Sequence, residues 1–240
     1  MIRLLSSLGL VMLAALACGQ PGVPAQSAPL VAKVPFVDGE RYTYSLRDDT
    51  RAVIARGTLT TRRSGDGWEL RQEYEEANPP QGVKRTSDVS AAVVDGATLL
   101  PRNVERVIER RDETQRYRAA YAPGTVTIDR EGEKPRTLKL PVDAVYDNEA
   151  ALWLWRTLPF AEGYRQRYTS VGLTERSRQT VSITVTGRQR VEVPAGAFEA
   201  WRLQVRNGRA TRVAWINVDA PHQVVQWDNG TVVFQLEASR

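Results

Sequence analysis

A single histidine, His222, and a single cysteine, Cys18, limit the chemistry open to this 240-residue chain. Histidine is the commonest general base near neutral pH, so imidazole catalysis is available at one place only. His222 follows Asp219-Ala220-Pro221 in a turn-like stretch, and no serine stands in a nucleophile-like setting to pair with it. The same scarcity leaves no His- or Cys-rich ligand set, so neither a metal nor another cofactor is expected. The chain has no G-x-S-x-G, no P-loop, no H-E-x-x-H and no C-x-x-C, which removes the most recognisable hydrolase, nucleotide-binding and metal-dependent readings. Two carboxylates flanking a bond could hydrolyse a glycoside. The pair that stands apart is Asp143 and Asp147, on either side of Tyr146. A helix cap is the better account of Asp147, and a non-catalytic protein is the expectation.

Arginine is the other group able to do specific chemistry: 29 of the 33 basic residues are Arg. Guanidinium forks bind phosphate and carboxylate bidentately, so Arg102, Arg106, Arg110, Arg111, Arg116 and Arg118 invite an anionic partner. Glu105, Glu109, Asp112 and Glu113 are interleaved among them, however, and cross-strand ion pairing explains that pattern better. The 33 basic against 28 acidic residues give a net +5. That is too mild to call for nucleic acid, whose binders concentrate basic charge on one face.

The elements that carry these residues are mostly strands. From Val34 onward the dominant signal is period-two alternation, the signature of an antiparallel β-domain with one face for a core. Tyr42, Tyr44 and Leu46 alternate with polar neighbours. So do Trp68, Leu70 and Tyr74, then Val181, Ile183 and Val185, and Trp201, Leu203 and Val205. Asn207-Gly208 and Asn229-Gly230 lie between strand-like runs, and Asn-Gly suits a type I′ hairpin because both central residues need positive φ. Around Trp215 the alternation changes parity, which predicts a β-bulge. Asp147 to Leu158 breaks the pattern: a cap candidate, Glu149 in the first turn, helix formers, then Pro159 as a stop. Leu152, Trp153, Leu154, Trp155 and Leu158 run nearly all the way round this helix, so both its sides must meet apolar groups. Trp153 and Trp155 are the candidate aromatics of a ligand cavity.

Some ten to fourteen strands of usual length fit into residues 34–240, and a sheet that large tends to curl or split. The expected fold is therefore all-β and mainly antiparallel: a strongly curved sheet or half-open β-barrel with one short helix on its concave side. No fixed-period repeat is present, which counts against a propeller or solenoid.

The N-terminus reads as an address. Arg3 precedes an apolar run from Leu4 to Ala17, too short for a membrane span of about 20 residues. It ends in Ala15-Leu16-Ala17-Cys18, which resembles the bacterial lipobox, where the cysteine receives diacylglycerol and becomes the new N-terminus. The expected organisation is a lipoprotein-type signal peptide over 1–17, lipidated Cys18 and a flexible tether over 18–33, and a single β-domain over 34–240. Residues 19–33 are small, Pro- and Gly-bearing and aperiodic, as a tether requires. Two acyl chains suffice for stable anchoring, so the membrane is the first expected partner. The expected location is the bacterial envelope, exported and membrane-anchored, at the outer membrane or the outer face of the cytoplasmic membrane.

Three stretches resemble a family of uncharacterised bacterial periplasmic and lipoprotein β-domains. They are Asp38-Gly39-Glu40-Arg41-Tyr42-Thr43-Tyr44, the run Arg156-Thr157-Leu158-Pro159-Phe160 with Gly163, and Val193-Pro194-Ala195-Gly196-Ala197-Phe198-Glu199-Ala200-Trp201. In that family a VPAGxF turn joins two late strands and a Trp-bearing strand follows, here Val213 to Ile216. The resemblance implies an unclosed β-barrel similar to the carriers and receptors that shuttle lipoproteins (LolA/LolB-like), in which an apolar concavity holds acyl chains. Read from the residues alone, Pro194 belongs at a strand end and the motif is a structural corner.

The leading expectation is a non-catalytic, lipid-anchored envelope lipoprotein that binds a hydrophobic or amphipathic ligand or helps to handle envelope lipid. The alternative is a structural or protein-interaction module without a cavity. A third reading, an enzyme with an unfamiliar carboxylate site, rests on Asp143 and Asp147.

Overall fold

The computed structural model describes residues 29–142 and 144–239. The first half of the chain is a run of strands: β1 (Arg41–Arg47), β2 (Val53–Ser64), β3 (Gly67–Glu76), β4 (Ser87–Asp95), β5 (Pro101–Glu109), β6 (Thr114–Ala122), β7 (Thr125–Arg130) and β8 (Arg136–Lys139). A short strand β9 (Val145–Asp147) leads into a helical segment made of a 3-10 turn (Asn148–Ala150), helix α1 (Ala151–Leu154) and a second 3-10 turn (Trp155–Thr157). Then follow β10 (Arg165–Gly172), β11 (Ser177–Val193), β12 (Gly196–Asn207), β13 (Ala210–Asn217), β14 (Val224–Asp228) and β15 (Val233–Ser239).

All of these strands belong to one sheet in the order β8-β7-β6-β5-β4-β3-β2-β1-β15-β14-β13-β12-β11-β10-β9. Two meanders, β1 to β8 and β10 to β15, meet where the first strand pairs with the last, placing Tyr44 opposite Leu236. Every pairing is antiparallel except β9 with β10. The alternation in sequence sets which face is buried: Tyr42, Tyr44 and Leu46 of β1, Leu70 of β3, Ile183 of β11 and Leu203 of β12 all enter one large core. A smaller cluster of Val191, Ala200 and Val225 forms a second core.

The turns follow their residues. Asn207-Gly208 closes the β12–β13 hairpin and Asn229-Gly230 lies between β14 and β15. The expected type I′ geometry is corrected: in each pair only the glycine has positive φ, Gly208 at +58° and Gly230 at +86°. Asn207 pairs with Ala210, and the Asn229 Oδ1 accepts from the Thr231 and Val232 backbone N–H groups. The register of β13 against β14 shifts between Trp215 and Ile216, where the parity change sits. Pro194 and Ala195 turn the chain between β11 and β12, with Gly196 at φ +126° facing Val193.

The expected strongly curved sheet or half-open barrel is corrected to an open sheet with two edges. Among the described residues no ladder joins β8 to β9, so the sheet is not closed into a barrel. Closure needs two edges that can exchange backbone hydrogen bonds in register. Here β8 has four residues, two of them charged, and β9 has three that are already parallel to β10. Short, charged edges of this kind also discourage pairing with another chain.

The helix expected over Asp147 to Leu158 is also corrected. Asp147 ends β9 and accepts a hydrogen bond from the Glu149 backbone N–H, so it does cap the segment, but only Ala151–Leu154 is α-helical. Pro159 disfavours a helical Leu158, and Leu158 is extended at φ −63° and ψ 149°. Between these two limits there is room for little more than one α turn, with 3-10 turns tightening both ends.

Core contacts on all sides hold this segment in place. Arg156 is the main tether. Its Nη1 donates to Glu40 Oε1 at 2.6 Å and its Nη2 to Glu40 Oε2 at 2.9 Å. Thr61 and Tyr42 hydroxyls donate to the same carboxylate at 2.8 and 3.0 Å, and Arg156 Nη2 also donates to the Pro221 carbonyl at 2.9 Å. A buried ion pair survives desolvation when its remaining lone pairs and protons are satisfied in this way. Among the described residues no helix is long and apolar enough to cross a membrane.

Candidate functional site

The helical segment forms one wall of a cavity of about 220 Å³. Its other walls come from both meanders: Gln72 and Tyr74 of β3, Arg106 of β5, Tyr168 of β10, Trp227 of β14 and Phe234 of β15. Period-two alternation brings these side chains to one face of the sheet. Trp155 stands at the centre of the aromatic lining. Its Nε1 donates to Tyr168 Oη at 3.3 Å, and its ring lies 4.7 Å from that of Trp227. Tyr74 and Phe234 form an edge-to-face pair at 5.6 Å on the opposite side. Half-buried Asn207, Arg212 and Asn229 and exposed Asn148 form the rim. Asn207 and Asn229 are the two hairpin asparagines, so the same turn chemistry that shapes the sheet places amide groups at the opening.

The floor is polar and fully tied down. Arg106 donates Nε and Nη2 to the two oxygens of Asp88 at 2.9 and 2.6 Å, and Nη1 to Glu149 Oε1 at 2.9 Å. Gln72 Nε2 donates to the Glu149 carbonyl, and the Tyr74 hydroxyl donates to Gln72 Oε1 at 2.6 Å. Asp147 lies behind this floor. It is completely buried, receives the Tyr121 hydroxyl and the Glu149 backbone N–H, and contacts no cationic side chain among the described residues. Burial, and secondarily the charge of Glu149, pushes the Asp147 carboxyl up to about 7. Burial likewise raises Glu149, and Arg106 opposes that rise. The arrangement is a half-open socket with aromatic walls, a charged floor and a polar rim, able to hold one small polar group against aromatic rings.

The candidate residues from the sequence fall in different places. Trp155 lines the cavity. Trp153 is 1% exposed and does not reach it; its Nε1 donates to Thr61 Oγ1 at 2.7 Å within the core. Cys18, the signal segment 1–17 and Asp143 lie outside the described residues, as does most of the tether. The His222 ring lies 5.1 Å from that of Phe160, and its Nδ1 is 3.1 Å from the Asn217 carbonyl oxygen. The β5–β6 arginines pair with nearby acids: Arg102 with Asp66 and Asp95, Arg111 with Glu76, Arg116 with Glu131, and Arg118 with Glu105. Among the described residues no group of three or more His, Cys, Asp or Glu side chains is arranged to hold a metal ion.

Sequence reasoning missed the Asp88–Arg106–Glu149 floor. In sequence Arg106 reads as one arginine of a solvated row, and Glu149 as a first-turn charge. Alternation offers one clue, since Val104 and Ile108 share the parity of Arg106 and point to a core face. The partners themselves are 18 and 43 residues away, and no local spacing encodes them.

No curated protein matches the chain. Seven chains of solved structures do. A beta-barrel-like protein of the DUF1849 family from Brucella abortus is 13% identical, with a TM-score of 0.53 over 88% of this chain and 98% of its own. That degree of likeness shows a shared fold. A DUF1089 family protein from Pseudomonas aeruginosa is 12% identical, with a TM-score of 0.41 over 73% of this chain and 89% of its own. One family model, described as a protein of unknown function (DUF3108), matches residues 41–237.

Proposed function

Since the chain belongs to the DUF3108 family of proteins of unknown function, its role must be read from its own site, and we propose that it is a non-catalytic, lipid-anchored protein of the bacterial envelope that binds an amphipathic ligand in the Trp155 cavity. The observation that carries this reading is the combination of aromatic walls with a polar floor around one half-open cavity. Binding sites are concave, mostly apolar and supplied with a few placed polar groups. At about 220 Å³ the cavity is smaller than the roughly 300–1,000 Å³ of drug-sized pockets. It takes a polar end group with a short apolar stretch, the rest of the ligand emerging past Asn207 and Asn229.

The N-terminal sequence supports the location. In this reading residues 1–17 are removed, Cys18 carries the lipid, residues up to 33 are the tether, and residues 34–240 form the single domain. The anchor holds the cavity near a membrane surface, where amphipathic ligands concentrate. Neither Trp153 nor His222 takes part in binding.

Native mass spectrometry of the full chain, purified in a nonionic detergent and followed by organic extraction, tests both halves of the proposal. A mature chain beginning at a diacylglyceryl-modified Cys18, with a stoichiometric extractable adduct that Trp155→Ala removes without unfolding, is the expected result. An unmodified Cys18 overturns the anchor. A chain free of adduct that takes up none from added envelope lipids overturns the ligand-binding role and favours a protein-interaction module.

A further inference from the structure

The proposed ligand has an end that must lie against the cavity floor, and the charges there select its sign. The charge of Arg106 is already matched, because three of its five N–H donors go to the carboxylates of Asp88 and Glu149. With both carboxylates ionised the trio carries one net negative charge, and Asp147 adds a second when it ionises. An anionic group pushed to the floor would therefore meet like charge in a poorly solvated space, where such an encounter is most costly. A cation meets the opposite. Glu149 on the cavity wall attracts it, with Asp88 adding its field from the far side of Arg106. A cation set against a face of one of the lining aromatic rings is stabilised by that ring, Trp most strongly.

One charge opposes this sign. Arg212, on β13, faces the cavity from the rim, and it has no carboxylate partner among the described residues. It is half-buried and next to water, so its field is screened far more than that of the floor. It suits an anionic or water-facing part of the ligand at the opening.

We infer that the end of the ligand seated in the Trp155 cavity is a cation, a protonated or quaternary amine attached to an apolar body. This rests on the ligand-binding reading above and adds the ligand's chemical class. Aromatic walls alone would accept any apolar group. Walls plus a net-negative floor discriminate.

The test uses the full chain in nonionic detergent and three one-ring probes: phenyltrimethylammonium, benzenesulfonate and neutral benzyl alcohol. Tryptophan fluorescence and isothermal titration calorimetry read the binding. The expected result is that the cation binds about tenfold or more tighter than the sulfonate, with benzyl alcohol between them. Glu149→Gln should weaken the cation about tenfold and leave the alcohol unchanged. Because Glu149 is buried, that variant can fail to fold. Arg212→Gln, at the half-exposed rim, is the second variant: it should tighten the cation and weaken the sulfonate, each about two- to threefold. Equal binding of all three probes, or tighter binding of the sulfonate, overturns the inference while leaving a ligand cavity in place. Binding of none of them overturns the cavity reading itself.

Discussion

Trp153 and Trp155 leave the same helical segment for opposite halves of the sheet: the Trp153 indole donates to Thr61 of β2 and the Trp155 indole to Tyr168 of β10. Two residues of separation on a helical turn put their side chains on different sides. One tryptophan therefore holds the core and the other walls the cavity. Trp153→Phe should cost about 2–4 kcal/mol of stability, combining a lost buried hydrogen bond with an underfilled site, and leave phenyltrimethylammonium binding unchanged in the folded protein. Trp155→Phe should weaken that binding several-fold at a smaller cost in stability. Urea unfolding and fluorescence titration of both variants decide it, and the same loss of binding in both would refute the division of roles.

The pairing of Arg156 with Glu40 is 3–4% exposed on both sides. Removing one partner strands the other charge in the core, which typically costs about 3–5 kcal/mol. Glu40→Gln should therefore lower stability by about that much, and Arg156→Leu by as much or more, since the Pro221 carbonyl loses its donor too. Replacing both residues with Leu should be milder than the sum of the single changes. A double-mutant cycle by chemical denaturation measures the coupling, and strict additivity would mean that the pair contributes nothing as a pair.

Asp147 makes stability depend on pH in a direction opposite to that of an ion-paired carboxylate. Its carboxyl is raised to about 7 when folded, against 3.8 for a free aspartate. Between those values the folded state holds a proton that the unfolded state has released. Its contribution is thus fully present below about pH 4 and lost as the pH rises through about 7, a span worth on the order of 4 kcal/mol. Asp147→Asn keeps an acceptor for Tyr121 and cannot ionise. The stability difference between the two proteins should grow in favour of the D147N variant from about pH 5 to about pH 8. Parallel stability profiles over that range would show that Asp147 is charged in the folded state at all these pH values.

Gly67 shows how closely β3 and β4 approach at their shared end. A Cβ at this position would lie 2.0 Å from the Val94 carbonyl oxygen, a backbone atom that cannot move aside alone. Gly67→Ala should lower stability by more than about 2 kcal/mol. Gly65→Ala, at φ +60° with nothing near its Cβ position, should cost about 1 kcal/mol through backbone strain alone. Thermal unfolding of the two variants side by side checks the order.

Much of the fold is legible locally. Period-two alternation locates the strands around Tyr44, Leu70, Ile183 and Leu203, because a half-buried strand must alternate to satisfy core and solvent together. Asn207-Gly208 and Asn229-Gly230 mark where turns fall, because glycine takes positive φ easily, but not their type, since only the glycines adopt it. Asp147 can be recognised as a cap, and Trp155 as a large aromatic needing an apolar neighbour. The tertiary structure alone decided that β1 pairs with β15, that the sheet ends in two edges without closing, and that Arg106 meets Asp88 and Glu149 under Trp155. Those contacts join residues tens to nearly two hundred positions apart. Local periodicity says which face a side chain occupies, but the partner on that face is chosen by packing the whole sheet around one helical segment.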